Sequence, residues 1–463
     1  MTRGVRVANR APLVSKVAVP GAALRILADE HPEQFPVFLD SAAQGPLTRY
    51  SMLAFEPAAW LARDANGALV AEGTRIGPGG FIDNLDEWLR REATPRDPGK
   101  SLPFMGGWFV YLSYELAQEV EPVLRLPAAS APFSAFALRT CHLAVYDHAA
   151  DSLYAISQDG DAASHARLVA RLEEAARRPA PVAVANPHVD RWAEEAPEKF
   201  LDRVRRAQEY ISAGDIYQAN LSRPWRLRLR KGTAAASVYP ALRRANPAPF
   251  AACVHFGGMS VLSSSPERLL EVKGRAISTR PIAGTRPRTG DPDQDARDTA
   301  ELVAHPKERA EHVMLIDLER NDVGRVCEAG SVHVDEYMVT ESYAHVHHIV
   351  SNVRGTLRAD ATAVDALRAL FPGGTITGCP KIRCMQVIAE LEGEGRGAYT
   401  GSLGWLGTDG DADFNILIRT LTLRGDQIEL RAGAGIVADS VPERELEETR
   451  AKALGMLRAF EPT

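Results

Sequence analysis

Two pairs of glutamates have a spacing that could do chemistry. In HPKERAEH, Glu308 and Glu311 stand three apart, and in PERELEETRAKA, Glu445 and Glu448 repeat the interval. On a helix, that interval puts both carboxylates on one face. Such a face is ordinarily just solvated: Lys307 with Glu311 makes an i,i+4 pair worth only about 0.2–0.5 kcal/mol. Four carboxylates brought together from two helices would instead hold a hard cation. Oxygen-only ligation suits Mg2+, which commonly takes one or two carboxylates plus substrate oxygen. SYAHVHHIVSNVRG (342–355) alternates as a strand, with His345 and His347 on one face and His348 on the other. His347 and His348 diverge, so a shared zinc is disfavoured, and a strand histidine is more often structural than catalytic. An acid or base role near neutral pH stays open for them. DFNILIRTL (413–421) reads as an apolar strand burying Arg419, which then needs an anionic partner. That partner is either a substrate carboxylate, gripped by two hydrogen bonds, or an internal acid.

GGTITGCPK (373–381) nearly spells a phosphate-binding loop, but Cys379 stands where lysine must follow Gly378. Nucleotide binding is therefore set aside. A turn gripping a carboxylate and a plain structural turn both remain. RPIAGTRPRTGD (280–291) reads as a rigid, shaped turn whose middle residue, Ala283, carries nothing reactive.

The elements that position these residues belong to a mixed α/β chain of 463 residues, 25% charged and 45% hydrophobic. The net charge of −6 argues against a nucleic-acid binder. No run approaches a membrane span, no signal peptide is expected, and five scattered cysteines fit a reduced cytoplasm. FPVFLDSA, CHLAVYDH and IYQANLSRPWRLRL read as strands. GDAASHARLVARLEEAARR, EKFLDRVRRAQEYISAG (stopped at Gly214) and RELEETRAKALGMLRAF read as helices. The Pro- and Ala-rich RRPAPVAVANPH (177–188) separates an N-terminal region, 1–180, from residues 190–463, where the unusual residues gather.

PIAGTRPR, KERAEHVMLIDLERNDVGR, GGTITGCPKIRCM, GSLGWLGTDGDADFNILIRT and GAGIVADSVPERELEETRAKA resemble, in order, the signature blocks of the chorismate-binding enzymes. The resemblance spans about residues 195–460. It implies one large α/β (α+β) fold, with stacked β-sheets flanked by helices and an active site in the cleft between them. It also implies Mg2+ at Glu308, Glu311, Glu445 and Glu448, and catalytic positions at His348, Ala283, Thr285 and Gln218. Chorismate would be held by Thr375, Tyr399, Arg419, Gly435 and Lys452.

Relatives that add water carry a basic lysine after the GD turn, where SAGDIYQANLSR has Gln218, so the resemblance implies an aminating enzyme. No cysteine sits in a glutaminase-like elbow, so ammonia is expected from a separate glutamine amidotransferase subunit. PIAGT, rather than the PIKGT whose lysine attacks the ring, is found in anthranilate synthases. It is also found in a subclass of aminodeoxychorismate synthases in which ammonia replaces the lysine. VFLDSAAQGPLTRYSMLAFEP and LPFMGGWFVYLSYELA resemble the aminodeoxychorismate branch. FLDS (38–41) and NPAPFAAC (246–253) stand where tryptophan-sensitive relatives show LLES and NPSPYM. The expectation is the aminodeoxychorismate branch, with anthranilate formation as the alternative and a non-catalytic chorismate binder more remote.

Overall fold

Near-continuous apolar runs signal strands covered on both faces. Gly107–Leu112 (GWFVYL) and Ser402–Gly407 (SLGWLG) are buried at every position and pair antiparallel in the middle of one sheet. The computed structural model describes residues 10–43, 45, 47–178, 186–342 and 346–461, with backbone alone at 285, 287, 307 and 346. Among these, the strands form two large antiparallel sheets. The first takes strands from Leu13–Val17 through Phe250–Phe256 and Gln427–Ile436 to Val189–Glu194. The second runs from Ile282–Pro287 through Arg268–Lys273 and Ser402–Gly407 to Leu69–Glu72.

The two sheets stack through a core of Met52, Leu143 and Val261 from the first against Phe109, Tyr111 and Trp405 from the second. Burying one such side chain is worth about 1.5–3 kcal/mol, so this layer holds the sheets face to face. Helices cover the outer faces. Trp88 of helix Phe81–Glu92 and Ile316 of helix Pro306–Gly324 pack with Trp108 on the second sheet. Leu168 of helix Ala162–Ala176 and Met456 of helix Pro442–Leu457 join Trp225 and Leu421 on the first.

Local chemistry sets the helix ends. Asp161 accepts from the amides of Ala163 and Ser164, and Pro197, Pro306 and Pro442 open their helices at positions where no amide donor is needed. The helix expected to stop at Gly214 spans Pro197–Ser212, with Gly214 at φ +79° just beyond it. Residues 1–180 and 190–463 share both sheets: Val37–Asp40 pairs with Phe250–Phe256, and Gly107–Leu112 with Ser402–Gly407. Of the separating stretch, 179–185 lie outside the described residues.

Three local expectations are corrected. The turn at 280–291 is largely a strand, Ile282–Pro287, because its residues pair with Val346–Thr356. The strand expected over 342–355 is two strands: Ser342 ends His333–Ser342, and Val346 opens the next. His345 lies outside the described residues. Arg419 is not inside one strand. Ala412–Ile416 belongs to the second sheet and Thr420–Arg424 to the first, and Arg419 sits in the joint at φ +51°.

Candidate active site

The chain crosses between the sheets twice in the same place. Met259–Ser265 of the first sheet leads through Pro266 and Glu267 to Arg268–Lys273 of the second, and Leu417–Arg419 makes the return. The crossings are tied together. The Ile416 amide donates to Glu267 O at 3.0 Å, the Ser264 amide to Arg419 O at 3.0 Å, and Ser265 Oγ to Ile416 O at 2.5 Å. A positive φ on a non-glycine residue such as Arg419 belongs where the surroundings over-determine the backbone.

Glu267 is 6% exposed, and burial pushes its carboxyl up to about 7. Thr375 Oγ1 donates to its Oε1 at 2.8 Å, and that bond, with the charges of Lys452 and Arg419, pulls the other way. Arg419 forms no ion pair among the described residues; burial lowers its pKa, opposed by Glu267. A half-protonated acid therefore faces an unneutralised guanidinium, which favours an incoming anion over the internal acid.

The glycine-rich strand Gln427–Ile436 makes the next wall. A Cβ at Gly433 would lie 2.5 Å from both Asn220 Oδ1 and Tyr399 Oη, and one at Gly435 would lie 2.4 Å from Gln218 Nε2. Only glycine lets these polar groups close on the backbone. Lys452 Nζ donates to Gly433 O at 3.0 Å and pairs with Glu448 at 2.7 Å. Tyr399 rests on the Arg396 guanidinium, 5.5 Å from its ring centroid, and burial raises its phenol to about 12. Beneath it, Glu392 accepts from Arg396 Nη2 at 2.6 Å, Arg431 Nη2 at 3.2 Å and the Ser222 amide at 2.7 Å. This dry three-charge network fixes the wall, since removing one partner would strand buried charge.

The opposite wall answers what the RPIAGTRPRTGD stretch does. Ala283 pairs with Ile349 and Thr285 with His348, so Gly284, at φ +67°, is the extra residue of a β-bulge. Bulging turns Gly284 O toward His348 Nδ1, 3.3 Å away. It also brings Glu308 Oε2 within 2.9 Å of where a glycine Cβ would stand. Facing a carbonyl, Nδ1 of the neutral ring carries the proton, which leaves Nε2 as the lone-pair side. Burial and the Arg419 charge push His348 down to about 4, so it is neutral at pH 7, with Nε2 able to accept a hydrogen bond. His347 faces away, held by Ser342 Oγ at 2.7 Å and beside Asp295 at 3.7 Å. Of Thr285 only the backbone is described, opposite His348.

His348, Arg419, Glu267, Thr375, Lys452, Gly435, Gln218 and Tyr399 thus form one connected constellation. The carboxylates are less converged. Glu308 pairs with Arg286 at 3.3 Å and Glu448 with Lys452, while Glu311 and Glu445 lie one turn away on the same helices. Among the described residues, no group of three or more His, Cys, Asp or Glu side chains is arranged to hold an ion. The donor chemistry, carboxylate oxygen in one-turn pairs, still fits a hard cation. The GGTITGCPK turn keeps its hydroxyls for the protein: Thr377 donates to Gly373 O at 3.1 Å, and Thr375 to Glu267. Glu267 and Asn220 escaped the sequence reading. For Glu267, the one signal was an acid after Pro266 between two apolar runs, a pattern common to ordinary turns.

A separate cavity of about 520 Å³ is lined by residues 39–41 and 249–251, the FLDS and NPAPFAAC stretches. Inside it, Arg268 makes two 2.9 Å hydrogen bonds to Asp413 and lies 5.3 Å over the Phe250 ring. No helix among the described residues is long and apolar enough to cross a membrane.

A family profile described as chorismate binding enzyme matches residues 41–458. The chain is 45% identical over 377 residues to anthranilate synthase component 1 of Streptomyces coelicolor, covering 77% of this chain and 73% of that one. It is 38% identical over 441 residues to aminodeoxychorismate synthase component 1 of Bacillus subtilis, covering 92% and 91%. The solved anthranilate synthase component I from Streptococcus pneumoniae superposes with a TM-score of 0.79 at 33% identity, covering 89% of this chain and 93% of that one. The menaquinone-specific isochorismate synthase from Escherichia coli shares the fold, with a TM-score of 0.72 at 19% identity over 98% and 96%.

Proposed function

The chain belongs to the chorismate-binding enzyme family, and from that premise we propose that it aminates chorismate to 4-amino-4-deoxychorismate. Ammonia would come from a separate glutamine amidotransferase subunit, and the cofactor would be Mg2+. The observation that carries the reading is Glu267: a buried, half-protonated carboxyl among Thr375, Arg419 and Lys452. Loss of the 4-hydroxyl needs a proton at that oxygen, and an acid of pKa near the working pH is the best donor. Arg419, Lys452 and the backbone at Gly433 and Gly435 bind and orient the dianion. Ammonia adds at C2 as the protonated hydroxyl departs, and a second ammonia adds at C4, expelling the C2 amine. The surplus proton on the attacking nitrogen leaves to solvent, and neutral His348 accepts a hydrogen bond from that nitrogen. Ala283 supplies no amine, so no enzyme–substrate bond forms at the bulge, and Gln218 supplies no base for water. Glu308, Glu311, Glu445 and Glu448 would hold Mg2+, whose Lewis acidity offsets charge on the ring carboxylate.

The anthranilate alternative rests on the PIAGT bulge and on the Streptomyces coelicolor relative. In it, the C2-amino intermediate loses pyruvate instead. Each tenfold preference between those exits needs only about 1.4 kcal/mol, so few residues set it. The aminodeoxychorismate reading is supported by the N-terminal motifs and by the second cavity, lined by FLDS and NPAPFAAC residues where tryptophan-sensitive relatives show LLES and NPSPYM. Supplied with chorismate, Mg2+, glutamine and an amidotransferase, the protein should yield a product that a lyase converts to p-aminobenzoate, with weak inhibition by tryptophan. Fluorescent anthranilate as the main product, suppressed by micromolar tryptophan, would establish the alternative.

A further inference from the structure

Glu319 has no part in the steps above, yet it is a carboxyl 3% exposed at their edge. It projects from helix Pro306–Gly324, and its Oε1 lies 3.3 Å from where a Cβ on Gly374 would stand. Thr375, the next residue, donates to Glu267. The two carboxyls therefore approach the short 3-10 turn Gly374–Ile376 from either side, with Glu267 near enough for its charge to act on Glu319.

The groups facing Glu319 are Asp322 on its own helix, Lys381 from helix Lys381–Glu392, Glu267 from the sheet crossing, and the Thr279 hydroxyl from strand Ala276–Thr279. Lys381 is already committed: it forms a short ion pair with Asp322 and donates to Leu370 O at 3.3 Å. Glu319 is left with one hydroxyl partner and two neighbouring acids. Burial first, and Asp322 next, raise it to about 8, so at pH 7 it is a neutral acid.

We propose that Glu319 is the proton reservoir of Glu267, a positioning residue that keeps a second acidic proton beside the donor and passes it on once Glu267 has spent its own. This rests on the amination reading above. In each turnover the C4–O bond breaks with its electron pair on oxygen, which takes the Glu267 proton and leaves as water. Glu319 then re-protonates Glu267 and is itself re-protonated from solvent. The nitrogen lone pair forms the new C–N bond and the ammonium so formed returns one proton to solvent, matching the one that Glu319 takes up, so ammonia enters, water leaves, and no oxidant or reductant is involved. Burial raises both carboxyls well above the ordinary carboxylate range, so each can hold a proton near neutral pH.

Infrared difference spectra of the full chain at pH 7, wild type against Glu319→Gln, read the proton directly. A protonated-carboxyl stretch that vanishes in the variant is expected; an ionised Glu319 would overturn the proposal. In kinetics with chorismate and an ammonium salt, Glu319→Gln should lower kcat roughly tenfold or more while leaving the chorismate KM within a few-fold. Ammonia's own titration is common to both proteins and cancels in the ratio. Glu319→Ala, which opens space at the position, should recover part of its kcat when formate is added. An unchanged kcat, or a loss that formate does not repair and that tracks a lowered Tm, would make Glu319 purely structural. A wild type that consumed no chorismate would sink the amination reading, whereas the infrared result is independent of turnover.

Discussion

Glu267→Gln should lower kcat for chorismate consumption by roughly 10²–10⁴-fold, the usual contribution of a positioned general acid, with chorismate binding changed only a few-fold. Glutamine keeps the shape and can still meet the Thr375 hydroxyl, but it has no proton to give. The pH dependence has a definite sign. Burial raises Glu267 from the ordinary 4.5 to about 7, so its proton is present below that value and lost as pH rises through it. Wild-type kcat, corrected for the free-ammonia fraction, should fall on the alkaline side with a midpoint near 7. The variant should be low and flat across the same window. Retained activity, or an unchanged alkaline limb in the variant, would remove Glu267 from the chemistry.

Glu311→Gln and Glu448→Gln should each abolish Mg2+-dependent activity while the fold, read by Tm and circular dichroism, survives. Glu448 is exposed and Glu311 half-buried, and neither belongs to the apolar core, so neither substitution opens it. Mg2+ prefers anionic oxygen, and replacing a carboxylate by an amide removes charge without removing the oxygen. Calorimetric Mg2+ titration should weaken in parallel. The Glu448 variant additionally frees Lys452, now paired to it at 2.7 Å, so its chorismate KM should shift as well. Undiminished activity with the same Mg2+ requirement would place the ion elsewhere.

Much of the frame was legible in the sequence because burial and periodicity are local. The helix carrying Glu445 and Glu448 and the strands within FPVFLDSA, CHLAVYDH and IYQANLSRPWRLRL followed from periodicity and composition. What escaped reading was non-local. DFNILIRTL is apolar throughout, so nothing in it marks the point where the chain leaves one sheet for the other; only the φ of +51° at Arg419 does. The PIAGT stretch has the composition of a turn and becomes a bulged strand because Val346–Thr356 lies beside it. Glu267 looks like any acid after a proline, and its raised pKa exists only because two crossings bury it together. The histidines divide the same way. Alternation put His347 and His348 on opposite faces, but only the fold sets one beside Ser342 and Asp295 and the other beside Gly284 and Arg419.

The central claim is amination of chorismate by ammonia alone, in a site without a covalent nucleophile, and an isotope chase tests it most directly. Enzyme, chorismate and Mg2+ are mixed with ordinary ammonium for a fraction of a turnover, then chased with excess nitrogen-15 ammonium. The quenched product is weighed by mass spectrometry. Two successive additions predict 4-amino-4-deoxychorismate carrying the chase nitrogen, because the first ammonia is expelled from C2, with the protein's intact mass unchanged throughout. Anthranilate carrying the first nitrogen, or a protein adduct that survives the quench, would contradict the account.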